Sequence, residues 1–156
     1  MAGLRSGLGW TIARPDFMIA NLQARYSDLA LAMLRIVAGL FFCSHGVQKF
    51  GQLGGLDGAG AAAPAMSLIW FAGPIEVVSG LAIACGWWTR GLAFIASGEM
   101  AVAYWIGHAP RGPWPPTNGG ELAVLYCFLW LFLTFRGAGA WSIDAVLGRR
   151  KADAGR

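Results

Sequence analysis

The sequence predicts an all-α integral membrane protein, a four-helix bundle with both termini cytoplasmic, and three observations carry that prediction. Of the 156 residues 56% are hydrophobic and 13% charged, with mean hydropathy +0.53, and the apolar residues come in long blocks rather than in the alternation of a soluble domain. Four blocks, at about 28–50, 65–88, 90–108 and 120–136, each approach the roughly 20 residues that span a hydrocarbon core. Basic residues collect at alternate block ends. Arg5, Arg14 and Arg25 precede the first block, Arg90 joins the second to the third, and Arg136, Arg149, Arg150, Lys151 and Arg156 follow the fourth. The other side has Lys49 and Arg111. The positive-inside tendency then puts residues 1–27 and the basic tail 137–156 in the cytoplasm, and the loops around 51–64 and 107–119 outside. Orientation thus accounts for the net charge of +4, and nucleic acid is not expected as a partner.

Residues 15–26 mix Phe17, Ile19, Leu22 and Tyr26 with Asn21, Gln23 and Arg25, which fits a short helix lying in the interface or a disordered lead equally well. The first 27 residues hold no long apolar stretch ending in a small-residue cleavage site, so the first span is expected to be retained. Within that span Arg35, Gly39, Phe42, Gly46 and Lys49 fall on one helical face, with His45 beside Lys49. At about 1.5 Å per residue Arg35 and Lys49 stand roughly 21 Å apart along the axis, one cation toward each membrane surface.

The glycine-dense segment GQLGGLDGAGAAAP is an outer loop, and Pro64 marks the approach to the second span. There Gly73, Glu76, Gly80 and Ala84 share a face, small residues that admit a close neighbour around one mid-span acid. Pro74 removes a backbone hydrogen bond beside Glu76, so a kink is expected. Trp87 and Trp88 anchor the interface before a tight turn at Thr89 and Arg90. The third span carries Glu99 and ends outward in Tyr104, Trp105 and His108. The connection APRGPWPPTNGG is too proline-rich for a helix and is read as a cap on the outer surface. Glu121 opens the fourth span, where a helix N-terminus favours a carboxylate, and Ser142 can cap a short helix in the tail. Cys43, Cys85 and Cys127 form no CxxC pair and read as small buried residues, an intramembrane pairing of Cys43 with Cys127 remaining open.

An unpaired charge at a helix centre costs on the order of 2.5 to 3.5 kcal/mol, so Arg35, His45 and Lys49 are expected to face Glu76, Glu99 and Glu121 inside the bundle. By depth, Arg35 and Glu76 are a candidate structural ion pair, while His45, Lys49, Glu76, Glu99, His108 and Glu121 outline a polar pocket in the outer half, floored by Glu76 and Glu99. No HxxH or ExxH pair occurs on one helix, no metal ligand set is assigned, and no catalytic residue is assigned.

The blocks Arg35 with GLFFCSHGVQKFG, then GPIEVVSGLAIACGWWTRG, NGGELAVLYCF and GAGAWSID stand in an order and spacing that resemble the DoxX family of small four-helix bacterial membrane proteins. The resemblance covers about 34–144, with GAG where GPG is commoner, and by position Arg35, Lys49, Glu76 and Glu121 match the family's recurrent polar sites. It implies a plasma-membrane location and a link to redox chemistry, since relatives include subunits of a thiosulfate:quinone oxidoreductase. In that setting the pocket takes a quinone: His45 and Lys49 donate to its carbonyls, the glutamates relay protons, and Phe42, Trp70, Tyr104 and Trp105 supply aromatic contact. The chain has no Rossmann fingerprint, haem motif or iron–sulfur cysteine set, so an electron carrier would belong to a ligand or partner. Besides the lipid bilayer, the candidate partners are a soluble redox enzyme and a second copy of the chain. Two other readings stand beside the redox subunit: a noncatalytic scaffold that recruits such an enzyme through the basic tail, and a small permease.

Overall fold

The computed structural model describes residues 15–155; residues 1–14 and Arg156 lie outside the described residues, and with them Arg5, Arg14 and Arg156 of the orientation argument. All named elements are helical: α1 Pro15–Gln48, α2 Leu68–Cys85, α3 Thr89–Ala103, α4 Pro115–Asn118, α5 Glu121–Arg136 and α6 Ile143–Ala154. Two isolated β-bridges, Phe50 with Ala62 and Gly55 with Ala61, pin the long loop after α1. Residues 21–48 of α1 and all of α2 are long and apolar enough to cross a membrane.

The segment 15–26 is neither a separate interfacial helix nor a disordered lead: α1 runs through it without a break. The physical reason is that no glycine or proline interrupts the chain between Pro15 and Gly39. Ser67 caps α2, its Oγ accepting from Trp70 N at 3.2 Å, and the helix continues through Pro74 to Gly86, whose φ of 72° ends it. The turn expected at Thr89 and Arg90 lies earlier, at Gly86 to Trp88, and Thr89 already begins α3. The proline-rich connection is more ordered than its composition suggests. It forms a π turn Tyr104–His108, a 3₁₀ turn Ala109–Arg111 and the one-turn α4, with prolines in first-turn positions where no amide donor is needed.

α1 lies against α2, α2 against α3, and α3 against α5. The α1–α2 contact is set by two glycine pairs. A Cβ on Gly39 would stand 2.6 Å from the Gly80 carbonyl oxygen, and one on Gly46 would stand 2.7 Å from that of Gly73. Backbones this close leave no room for a side chain and fix one antiparallel register. Phe42, Ile83, Ala93, Ala96, Trp130 and Leu133 fill the core they enclose.

At the end where α6 packs, charged side chains serve backbone groups. Arg35 is 1% exposed, and its Nη1 donates to the carbonyls of Ile83 (2.5 Å) and Ala84 (2.6 Å) while Nη2 donates to Trp141 O at 2.7 Å. Asp144 accepts from Trp88 N and Thr89 N, capping α3 from a distance in sequence, while its own amide donates to Gly86 O. Arg90 Nη1 donates to the last carbonyls of α5, those of Thr134 and Phe135, and Arg136 pairs with Asp28 at 3.3 Å. Ser142 caps α6 by accepting from Ala145 N.

Two substitutions test this architecture. Gly80→Val forces α1 from α2 and should lower the stability of the detergent-solubilised protein by about 1 to 3 kcal/mol, the usual cost of overpacking. Gly98→Ala, whose added Cβ meets nothing within 4 Å, should leave it unchanged or slightly raised. Thermal melts of both decide whether close approach or small-residue content matters. Asp144→Ala should cost roughly 0.5 to 2 kcal/mol through the lost cap on α3, read in the same melts.

Candidate functional site

The register set by the glycine pairs decides which charges meet. Pairing Gly39 with Gly80 and Gly46 with Gly73 puts Arg35 opposite Ala84, eight residues along α2 from Glu76, or roughly 12 Å by helical rise. The expected Arg35–Glu76 pair is therefore absent: Arg35 is consumed by the C-terminal carbonyls of α2, and Glu76 bonds Lys49 instead. Lys49 follows the last turn of α1 and points back along it, donating to Glu76 Oε2 at 2.5 Å and to His45 O at 3.4 Å. Both side chains are shielded, that of Glu76 to 3% exposure. A lysine stem lying along its own helix keeps the ammonium among acceptors while the four methylenes cover apolar neighbours.

Glu99 lies on α3, half-buried. Its Oε2 is buried and has no hydrogen-bond partner. Ser97 Oγ donates to Cys127 O at 2.8 Å, which ties this part of α3 to α5 and sets Glu99 at the level of the α5 aromatics. There Tyr126 stacks on Trp130 with centroids 5.5 Å apart, and Phe42 of α1 meets both rings, at 5.3 and 5.2 Å. His45 approaches Tyr126 edge-on at 6.3 Å, and its Nδ1 donates to Gln48 Oε1 at 3.2 Å, so in the neutral ring Nε2 is an acceptor. Trp130 is fully buried, yet its Nε1–H also lacks a partner. Glu99 Oε2 and Trp130 Nε1 are thus buried polar atoms without partners, the second within a cluster of three aromatic rings.

Two of the six residues expected in a common pocket stand apart. His108 stacks on Tyr104 and its Nδ1 accepts from Arg111 Nη2 at 2.8 Å, within the turn that follows α3. Asn118 completes that turn, Nδ2 donating to Gly112 O and Oδ1 accepting from Gly120 N. Glu121 is exposed at the start of α5 and makes no ion pair among the described residues. The physical reason is the packing of the turn itself: His108 is occupied locally, and Glu121 faces outward on the first turn of its helix. Of the aromatics expected to line the site Phe42 does so, whereas Trp70 packs on Phe50 and Phe71, Tyr104 stacks on His108, and Trp105 is largely exposed. Tyr126 and Trp130 take their place. Their signal in the sequence is the spacing of Ala123, Tyr126, Trp130 and Leu133 along one face of α5, hidden because that helix is apolar on every side. Cys43, Cys85 and Cys127 are free thiols.

Removing one partner of the Lys49–Glu76 pair should be far more harmful than removing both. Lys49→Ala strands a buried carboxylate and is expected to cost about 3 to 5 kcal/mol, while Lys49→Met with Glu76→Leu should recover most of that loss. Melting curves of the single and double variants measure the difference.

Comparison with known proteins identifies the family. The profile described as DoxX matches residues 30–109, from the cationic face of α1 to the turn after α3. An uncharacterized protein of Haemophilus influenzae is 43% identical over 129 residues, covering 80% of this chain and 94% of that protein. No solved structure matches. The extent of the profile match and of the shared sequence with this relative shows that the chain belongs to the DoxX family.

Proposed function

We propose that this protein is a four-span bundle of the bacterial plasma membrane with both termini cytoplasmic, and that it serves a redox complex as a quinone-binding accessory subunit. The four-span reading is supported by an inverted polarity. Leu34, Val37 and Phe41 of α1, Phe71 and Val78 of α2, Phe94 and Val102 of α3, and Leu125, Phe128 and Phe132 of α5 are exposed, while Arg35 and Glu76 are buried. Water would penalise that distribution, and hydrocarbon stabilises it. α5, at 16 residues, spans only about 24 Å, so the bilayer thins beside it or Gly119 and Gly120 extend its reach. Arg25, Arg90, Arg136, Arg149, Arg150 and Lys151 share the α6 end, which supports placing that end in the cytoplasm.

The quinone reading rests on one observation above the rest: Glu99 Oε2 and Trp130 Nε1 are buried polar atoms left unsatisfied, the second within the cluster of the Phe42, Tyr126 and Trp130 rings. Orphaned groups of this kind cost roughly 1 to 3 kcal/mol each, a cost that a flat ligand with a donor and an acceptor would relieve. A quinone ring accepts hydrogen bonds at its carbonyls and, once reduced, donates from its hydroxyls. Trp130 Nε1–H suits the first state and the Glu99 carboxylate the second. Reduction of a quinone takes two electrons and two protons; the electrons come from a partner subunit carrying its own redox group, and Glu99 and His45 are placed to pass protons.

A second reading is favoured by the direct contact of Lys49 with Glu76 and by the separation of His108 and Glu121 from them. These features suit a fixed core that only holds the fold, with the protein acting as a scaffold for a soluble redox enzyme. Titration of purified protein in nanodiscs with a short-chain ubiquinone or menaquinone separates the two. Saturable binding, weakened about tenfold or more in Glu99→Gln and in Trp130→Phe with melting temperatures unchanged, is the expected result, each loss matching one hydrogen bond to a buried group. Absence of saturable binding to the wild type would leave the scaffold.

A further inference from the structure

The structure carries a groove near its C-terminal helix, away from Glu99. It lies between the α2–α3 turn and α6, measures about 510 Å³ and is lined by Trp87, Trp88, Asp144, Leu147, Gly148 and Lys151. Its walls are apolar except at two points. The Asp144 carboxylate is committed to the amides of Trp88 and Thr89, and Arg35 acts on it from the core, so its charge is answered within the protein. Lys151 has no acidic partner among the described residues, and Arg149 and Arg150 stand exposed next to it in sequence. Trp87, Trp88 and Trp141 are all more than half exposed here, as are indoles that sit among lipid headgroups.

We propose that this groove is a binding site for one anionic phospholipid, its phosphate held by Lys151 and the upper part of an acyl chain lying along Leu147, Trp87 and Trp88. Charge complementarity selects the occupant. A groove with a single uncompensated cation at its mouth and apolar walls suits a molecule with a phosphate at one end and hydrocarbon at the other, and the polybasic run beside it raises the local concentration of anionic lipid. An acidic protein segment would also meet the cation, but it would leave the apolar wall without a matching surface. Gly148 gives the groove its depth: a Cβ there meets nothing within 4 Å, so space lies open above the helix backbone. The proposal rests on the membrane setting of the chain and is independent of quinone binding.

The test is native mass spectrometry of the full chain released from nanodiscs containing equal amounts of phosphatidylglycerol and phosphatidylcholine. Wild type should retain phosphatidylglycerol in preference, and Lys151→Gln should reduce that retention about fivefold, the effect of one basic group at an anionic surface. Gly148→Leu, which fills the groove with the charges intact, should reduce it as strongly, while Arg149→Gln should have a smaller effect. Equal retention of the two lipids by wild type would overturn the proposal. So would equal losses in Lys151→Gln and Arg149→Gln with none in Gly148→Leu, which would mean diffuse attraction to the basic tail. Displacement of the lipid by excess inorganic phosphate would overturn it too, since the apolar wall would then contribute nothing. Melting temperatures matching wild type keep the variants interpretable, and Leu147→Gln offers a second change to the wall should Gly148→Leu fail to fold.

Discussion

The contact on which the other arrangements depend is the close approach of α1 to α2 at Gly39 with Gly80 and Gly46 with Gly73. In hydrocarbon there is no hydrophobic gain in bringing two apolar helices together, so their adhesion comes from packing, and packing is best where side chains are absent. Two glycine pairs seven residues apart on each helix lock one register. That register alone decides that Arg35 meets the last carbonyls of α2 and that Glu76 falls within reach of Lys49. A shift by one turn would strand both cations.

The two buried cations are handled in different ways, and the difference follows from helix electrostatics. Arg35 sits where α2 ends, among carbonyls that carry the negative end of that helix, one of which, Ile83 O, also accepts from Gly86 N. A planar guanidinium spreads its donors over two terminal nitrogens, and so serves Ile83 and Ala84 from one and Trp141 from the other. Glu76 lies mid-helix, away from the free groups of a helix end, so it needs a mobile point charge brought to it. Lys49 supplies one from beyond the helix end.

Much of this was legible in the sequence, for identifiable reasons. The face Arg35, Gly39, Phe42, Gly46 and Lys49 follows from helical spacing alone, and the structure buries or half-buries all five. Ser142 as a cap and Glu121 at the head of α5 follow from rules local to a few residues. The Arg35–Glu76 pairing misled because depth along a span does not give register, which lives in contacts between helices. Asp144 escaped notice as the cap on α3 because its partners, Trp88 and Thr89, are more than fifty residues away. Tyr126 and Trp130 were hidden by the uniform apolarity of α5, where periodicity has nothing to stand out against. The proline-rich turn was misjudged because prolines forbid the interior of a helix but suit its first turn.

Both parts of the molecule keep buried polar atoms without partners, and what surrounds those atoms differs. At the α6 end, Arg90 and Asp144 are held on backbone groups, the pattern of a site that fixes shape. Deeper between the helices, Lys49 and Glu76 satisfy each other, yet Glu99 and Trp130 keep a bare acceptor and a bare donor out of contact with water. Packing offers no reason to retain either group, since Leu at 99 and Phe at 130 would fill similar space without the desolvation cost. Arg35 Nε and Thr89 Oγ1 are without partners as well, though Arg35 is otherwise held by three carbonyls. In the proposed quinone-binding subunit, a ligand meeting both Glu99 Oε2 and Trp130 Nε1 would offset the cost of those two.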